Sequence, residues 1–124
     1  MKNVWIVDDD RSIRWVLEKA LSREGLPWRS FENAIDVQNA LENETPAVLV
    51  SDVRMPGESG LSLLKKIKAA HPQVPVIVMT AFSDLDTAVQ AFQGGAFEYL
   101  PKPFDVEQAL DLIRRAAAAT ETAS

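Results

Sequence analysis

Asp8, Asp9 and Asp10 follow the apolar run Val4-Trp5-Ile6-Val7 without a break, and Asp52 closes a second run, Val48-Leu49-Val50-Ser51. A buried strand has no structural use for a carboxylate cluster at its end, so something cationic is expected there. Two further apolar runs end in Thr80 and in Lys102-Pro103. If these endings converge, acidic, hydroxyl and ammonium groups meet in one crevice. Two unit charges about 4 Å apart repel by ~4 kcal/mol at an effective dielectric near 20, so Asp8, Asp9 and Asp52 need compensation if they share that crevice. Only carboxylates and carbonyls are on offer, and such a hard-oxygen set suits Mg²⁺ or Mn²⁺. A calcium loop does not fit, because Asp8-x-Asp10-x-Ser12 lacks the glycine next and the distal glutamate. The bland alternative makes the acidic run a set of solvated turn and cap residues.

The elements that must position these groups alternate along the chain. Apolar runs predict strands at residues 3–8, 28–31, 47–52, 75–80 and 97–101. Between them, helical spacing appears. Ser12 is expected to cap a first helix carrying Ile13, Val16, Leu17, Ala20 and Leu21, which Gly25 ends. Ile35, Val37, Ala40 and Leu41 mark a second helix stopped by Thr45-Pro46, and Leu61, Leu64 and Ile67 a third closed by His71-Pro72. The fourth, from about Asp84 to Gln93, carries Leu85, Ala88, Val89 and Phe92; short and ended by Gly94-Gly95, it is expected to move most easily. The last begins near Val106 and repeats at Ala109, Leu110, Ile113 and Ala117. Such alternation predicts an α/β domain of flavodoxin-like, doubly wound type: a five-stranded parallel sheet of order 2-1-3-4-5 with helices on both faces. In that architecture ligands collect outside the carboxyl ends of the strands, where the chemically capable residues stand.

At 124 residues and 47% hydrophobic, the chain has room for one well-packed domain, read as residues 1–119, with the small, polar residues 120–124 as a tail or the start of a linker. Cysteine is absent, which excludes disulfides and thiolate metal sites; without a secretory or membrane-spanning pattern, a cytoplasmic protein is expected. A net charge of −5 argues against direct nucleic-acid binding. Neither Gly-x-Gly-x-x-Gly nor Gly-x4-Gly-Lys-Ser/Thr occurs, so dinucleotides and nucleoside triphosphates lack their phosphate cradle. His71 is expected to be a solvated turn residue, Lys65-Lys66-x-Lys68 a wetted helix face, and Trp5, Trp15 and Trp28 packing residues.

Val7-Asp8-Asp9, Ser51-Asp52-Val53-Arg54-Met55-Pro56-Gly57, Met79-Thr80-Ala81 and Tyr99-Leu100-Pro101-Lys102-Pro103-Phe104 together resemble the motif set of receiver domains of bacterial two-component response regulators, in order and over nearly the whole chain. Ser12-Ile13-Arg14-Trp15-Val16-Leu17-Glu18, Ser83-Asp84-Leu85-Asp86 and Gly95-Ala96-Phe97-Glu98 make the chain most similar to the nitrogen regulatory protein C subgroup. Phe82 departs from it, since close relatives commonly carry histidine there.

The resemblance implies that Asp52 is the phosphoacceptor, with Asp9 and Asp52 as direct Mg²⁺ ligands, the backbone carbonyl of Arg54 as another and Asp8 a ligand through water. Asp10 stays open between a metal ligand and a residue that only adds negative potential. Thr80 would hydrogen-bond the phosphoryl group, Lys102 would pair with it, Tyr99 would turn inward on activation, and the Lys102-Pro103 bond would be cis. A sensor histidine kinase is the implied donor, downstream ATPase and DNA-binding domains are the implied output, and dimerisation on phosphorylation is a further implication. The domain would be no enzyme beyond its own phosphorylation and dephosphorylation. Taken singly, Thr80 could simply end a strand, Lys102 be an exposed turn lysine and Tyr99 a half-buried core aromatic. Two rivals remain. Asp8-x-Asp10-x-Ser12 imitates the nucleophile motif of haloacid-dehalogenase-like phosphatases, although the chain lacks room for a cap and the later acidic motif. A pseudo-receiver that only binds is the other.

Overall fold

The computed structural model describes residues 3–55, 57–81 and 83–122, with side chains as far as residue 119. Pro56 and Phe82, and with Phe82 the departure from the subgroup, lie outside the described residues. The elements run β1 (Val4–Val7), α1 (Arg11–Arg23), β2 (Trp28–Phe31), α2 (Ala34–Leu41), β3 (Val48–Asp52), α3 (Gly60–Ala70), β4 (Val76–Ala81), α4 (Leu85–Gln93), β5 (Glu98–Lys102) and α5 (Val106–Thr122). The strands form one five-stranded sheet of order β2-β1-β3-β4-β5. Every neighbouring pair is parallel, as the alternation predicts. All carboxyl ends therefore lie on one edge, and β1 and β3, neighbours across the point where the strand order reverses, carry the aspartates to it.

Successive strand residues point to opposite faces, which divides the apolar residues into two cores. On one face Val4, Ile6, Val48, Val50, Ile77 and Met79 pack with Leu17 and Leu21 of α1 and Leu110 and Ile113 of α5. On the other, Trp5, Val7, Leu49, Val76 and Val78 meet Val37 of α2, Leu63, Leu64 and Ile67 of α3 and Ala91 of α4. β1, with both faces covered, is buried throughout, whereas the edge strands β2 and β5 are only partly so. Such two-sided burial explains why the central strands read as continuous apolar runs.

Helix ends differ from the sequence expectation in instructive ways. The N-cap of α1 is Asp10, not Ser12: in extended conformation it accepts the Ser12 N–H on its carboxylate at 2.8 Å. Asp and Ser cap about equally well, so the residue whose backbone is still extended takes the position. Gly25, with φ of 70°, ends α1; its N–H reaches Ser22 O and the Leu26 N–H reaches Leu21 O, the paired bonds of a Schellman motif. In α2 the inward face is Ala34, Val37 and Ala40, while Ile35 is 62% exposed, and the helix closes at Leu41, well before Thr45-Pro46. Trp5 is fully buried against Phe31, but Trp15 is 58% exposed and lies under the Lys19 ammonium, so it does not serve the core. Of the basic cluster, Lys66 pairs with Glu58, and Lys68 donates to the carbonyls of Pro72 and Val74.

Candidate functional site

β1 runs straight into Asp8, whose side chain is wholly buried. One carboxylate oxygen accepts the Asp10 N–H at 2.8 Å, and the other accepts the Lys102 ammonium at 3.0 Å. Asp52, at the end of β3, is also within 3.0 Å of that ammonium. Lys102 comes to both because β5 is parallel to β4, itself paired to β3. Carboxylate oxygens of Asp8, Asp9 and Asp52 lie within 4.8 Å of one another. Asp9 is the exposed member of the three, and Asp10 is turned to its capping role.

Electrostatics follow from this crowding. Burial pushes the Asp8 carboxyl above its ordinary range, and the Asp52 charge adds to it, against the pull of the Asp10 N–H and Lys102. Burial alone would lower Lys102, but hydrogen bonds to Asp52 and Asp8 and their charges outweigh it and hold the ammonium above its usual value. One cation thus serves two carboxylates, and a third stands beside them. A hard divalent ion fits the all-oxygen set and the remaining negative charge.

The loop after β3 is tied down at both ends. Gly60 donates its N–H to Val53 O at 2.8 Å, and a Cβ at Gly60 would stand 2.1 Å from the Asp52 carbonyl oxygen. Only glycine lets α3 start this close to the end of β3. Ser51, fully buried, donates its hydroxyl to the same carbonyl. Arg54 lines an open cleft of about 550 Å³ together with Asp9, Val53, Met55, Ser59 and Thr87. Its guanidinium reaches Asp84 at 3.2 Å, the N-cap of α4. Hydrogen bonds from Thr87 and Arg54 hold the Asp84 carboxyl below its ordinary value.

Thr80 is buried near the end of β4, paired to Pro101, next to the residue that faces Asp52 across the ladder. Tyr99 is half-buried on β5, its ring edge-on to Phe92 of α4 at 5.7 Å. The Lys102-Pro103 peptide bond is cis. Sequence reasoning missed three residues beside these. Gly60 could have been flagged as a glycine opening a helix. Glu58 accepts from Gln38 of α2 and from Ser62 and Lys66 of α3, and had no signal beyond its spacing to Ser62 and Lys66. Arg14, whose guanidinium reaches the Asp8 carbonyl at 2.6 Å, stands between Ile13 and Leu17, both facing the core.

The family model described as the response regulator receiver domain matches residues 4–114, which contain every residue of this site. The chain belongs to that family. This receiver domain is similar to the DNA-binding transcriptional regulator NtrC of Proteus hauseri, 64% identical over 114 residues, which are 92% of this chain and 24% of that protein. It thus spans about a quarter of the length of the NtrC relative. Among solved structures it resembles the apo form of the receiver domain of nitrogen regulatory protein C, with a TM-score of 0.86, 60% identity and 94% of each chain covered. It also resembles the BeF3-activated form, with a TM-score of 0.81, 59% identity, and 95% and 97% covered. This is a receiver domain of the NtrC type, a regulatory rather than a catalytic family. Among its described residues no helix is long and apolar enough to cross a membrane.

Proposed function

We propose that the domain accepts a phosphoryl group on Asp52 from a phosphohistidine of a sensor kinase and passes the signal to the rest of a longer regulator. An Asp52 carboxylate oxygen attacks phosphorus, the P–N bond to the donor histidine breaks, and an acyl phosphate forms as the imidazole leaves. No general base is needed, since a carboxylate is ionised at neutral pH. Asp9, Asp52 and the Arg54 carbonyl would hold Mg²⁺, or Mn²⁺, with Asp8 acting through water. Bound there, the ion supplies charge neutralisation for the phosphoryl oxygens. Lys102 exchanges its contact with Asp52 for a phosphoryl oxygen, and the Thr80 hydroxyl donates to another.

The observation that carries this reading is the Lys102 ammonium at 3.0 Å from both Asp8 and Asp52. It also favours Asp52 over Asp8 as nucleophile, because Asp8 is wholly buried with both oxygens engaged, whereas Asp52 keeps some exposure and one oxygen clear of Lys102. A haloacid-dehalogenase-like reading needs the reverse. The complete acidic, hydroxyl and ammonium set speaks against a pseudo-receiver. Aside from its own phosphorylation and dephosphorylation the domain performs no catalysis. By its likeness to NtrC, we infer a cytoplasmic regulator in which residues 1–119 form the receiver and residues 120–124 lead toward ATPase and DNA-binding domains, with dimerisation following phosphorylation.

Signal would leave through α4 and β5. Leu85, Val89 and Phe92 are 64%, 47% and 44% exposed, and Phe92 touches Tyr99. As Thr80 moves toward the phosphoryl group and Tyr99 turns inward, that contact breaks and the apolar face of α4 is re-presented to a partner domain. Incubation with acetyl phosphate and Mg²⁺ followed by intact-mass spectrometry tests the assignment. A single phosphoryl adduct is expected in the parent and none in Asp52→Asn; an undiminished adduct in that variant sinks it.

A further inference from the structure

Arg14 of α1 has a side chain only 12% exposed, which is unusual for an arginine without a close ion-pair partner. Its nearest carboxylate, Glu32, is 3.7 Å away and 76% exposed, so that pair contributes little. The close contact is instead from Nη1 to the backbone carbonyl of Asp8 at 2.6 Å, a charge-assisted hydrogen bond. The same residue's own N–H donates to the Asp10 carbonyl at 3.2 Å. Arg14 therefore brackets the acidic turn, by side chain at Asp8 and by main chain at Asp10.

Between those two anchors stands Asp9. Its side chain is exposed, so packing does not set where its carboxylate points. Its backbone does. The Asp8 carbonyl and the Asp9 N–H belong to one planar peptide unit, so holding the carbonyl fixes the plane from which Asp9 projects. We propose that Arg14 is a positioning residue for the metal pocket, holding the Asp8–Asp9 peptide so that the Asp9 carboxylate faces Asp52. This rests on the reading of Asp9 as a Mg²⁺ ligand given above, and extends it to a residue outside the pocket.

Two effects of removing Arg14 have opposite signs, which makes the proposal testable. Loss of a cation near the pocket favours a divalent ion electrostatically, whereas loss of the anchor loosens the ligand. Groups that orient metal ligands are commonly worth about 10–100-fold in affinity. The Kd for Mg²⁺, measured by calorimetry without any phosphodonor, is expected to weaken about tenfold in Arg14→Gln. Arg14→Lys keeps the charge but has a shorter reach, and is expected to weaken binding as well, by less. Amide exchange at Asp9 and Asp10 should accelerate in both. Each variant is measured where circular dichroism shows it folded, and Arg14→Lys serves where the glutamine variant is not. Parental or tighter Mg²⁺ binding by the folded variants overturns the positioning role, even if both melt earlier, because a purely structural arginine would lower stability without moving Kd. A parent chain that fails to bind Mg²⁺ overturns the metal reading itself, and is seen before any variant is made.

Discussion

Lys102 sets the charge balance of the site, and removing it exposes how much the acidic cluster depends on one ammonium. Asp8 has no exposure and would be left as a buried charge without its partner. Breaking a buried pair from one side typically costs about 3–5 kcal/mol. Lys102→Met is accordingly expected to lower the urea midpoint of the metal-free domain by a large fraction of its stability, and added Mg²⁺ to recover part of it. The pH dependence has a definite sign. Because the folded chain holds the Lys102 proton more tightly than the unfolded chain, with its ordinary value of 10.5, the stabilisation is fully present below that pH. It is lost as pH rises through the higher folded value. Urea unfolding of the parent from neutral to strongly alkaline pH should show this fall, and Lys102→Met a shallower one. Equal slopes would remove Lys102 from the account.

At the scale of elements, the junction of β3 and α3 and the thin packing of α4 matter most. The Cβ of an alanine at position 60 would fall 2.1 Å from the Asp52 carbonyl oxygen, and backbone cannot yield as a flexible side chain can. Gly60→Ala must push α3 away from the strand end that bears Asp52, the proposed acceptor. We expect at least the ~1–3 kcal/mol typical of an overpacked core, together with slower phosphorylation of Asp52. Urea unfolding and adduct formation against time check both; a fully stable variant phosphorylated at the parental rate contradicts the close approach. α4 presents a contrast. Its fully buried side chains are Ala88 and Ala91, whereas α5 buries Leu110, Leu112 and Ile113 besides three alanines. Two alanines remove little apolar area from water, so α4 leans on its Asp84 cap, its Gly94-Gly95 closure and the edge contact of Phe92 with Tyr99, while the Arg54 bond, made by a largely exposed guanidinium, adds little. Native-state amide exchange should find α4 opening at lower free energy than α1 or α5.

Over the whole molecule, the proposed switch joins these local properties into a two-state device. The proposed phosphoryl site lies at the carboxyl edge of the sheet, and the least anchored helix lies beside it, linked by Arg54–Asp84 on one side and by Tyr99–Phe92 on the other. Moving a population from 1:99 to 99:1 needs ~5.5 kcal/mol of differential interaction, within reach of a few charge-assisted hydrogen bonds to a phosphoryl group. With a stable phosphoryl mimic, amide exchange is expected to change across residues 83–104 and to stay parental in α1 and α2. A change spread evenly over the chain, or confined to α1 and α2, would falsify this route.

The strand ends that carry Asp8, Asp52, Thr80 and Lys102 were legible in the sequence, as were the sheet order and the family. Apolar runs and glycine or proline stops are local signals, and a parallel sheet needs only such signals to bring all its carboxyl ends to one edge. Other properties came from the tertiary structure alone. That Asp8 is buried and shares Lys102 with Asp52 depends on residues 94 positions apart in the chain meeting across three strand pairings. That Asp10 caps α1 while Ser12 does not turned on where the backbone leaves its extended conformation. Ile35 faces water while Ala34, Val37 and Ala40 turn to the core, and hydrophobic periodicity cannot separate neighbours on so weak a stripe. Arg14 reads in sequence as one more helix cation; its contact with the Asp8 carbonyl exists only once α1 has docked over the end of β1, since a charge has no assigned partner until packing supplies one.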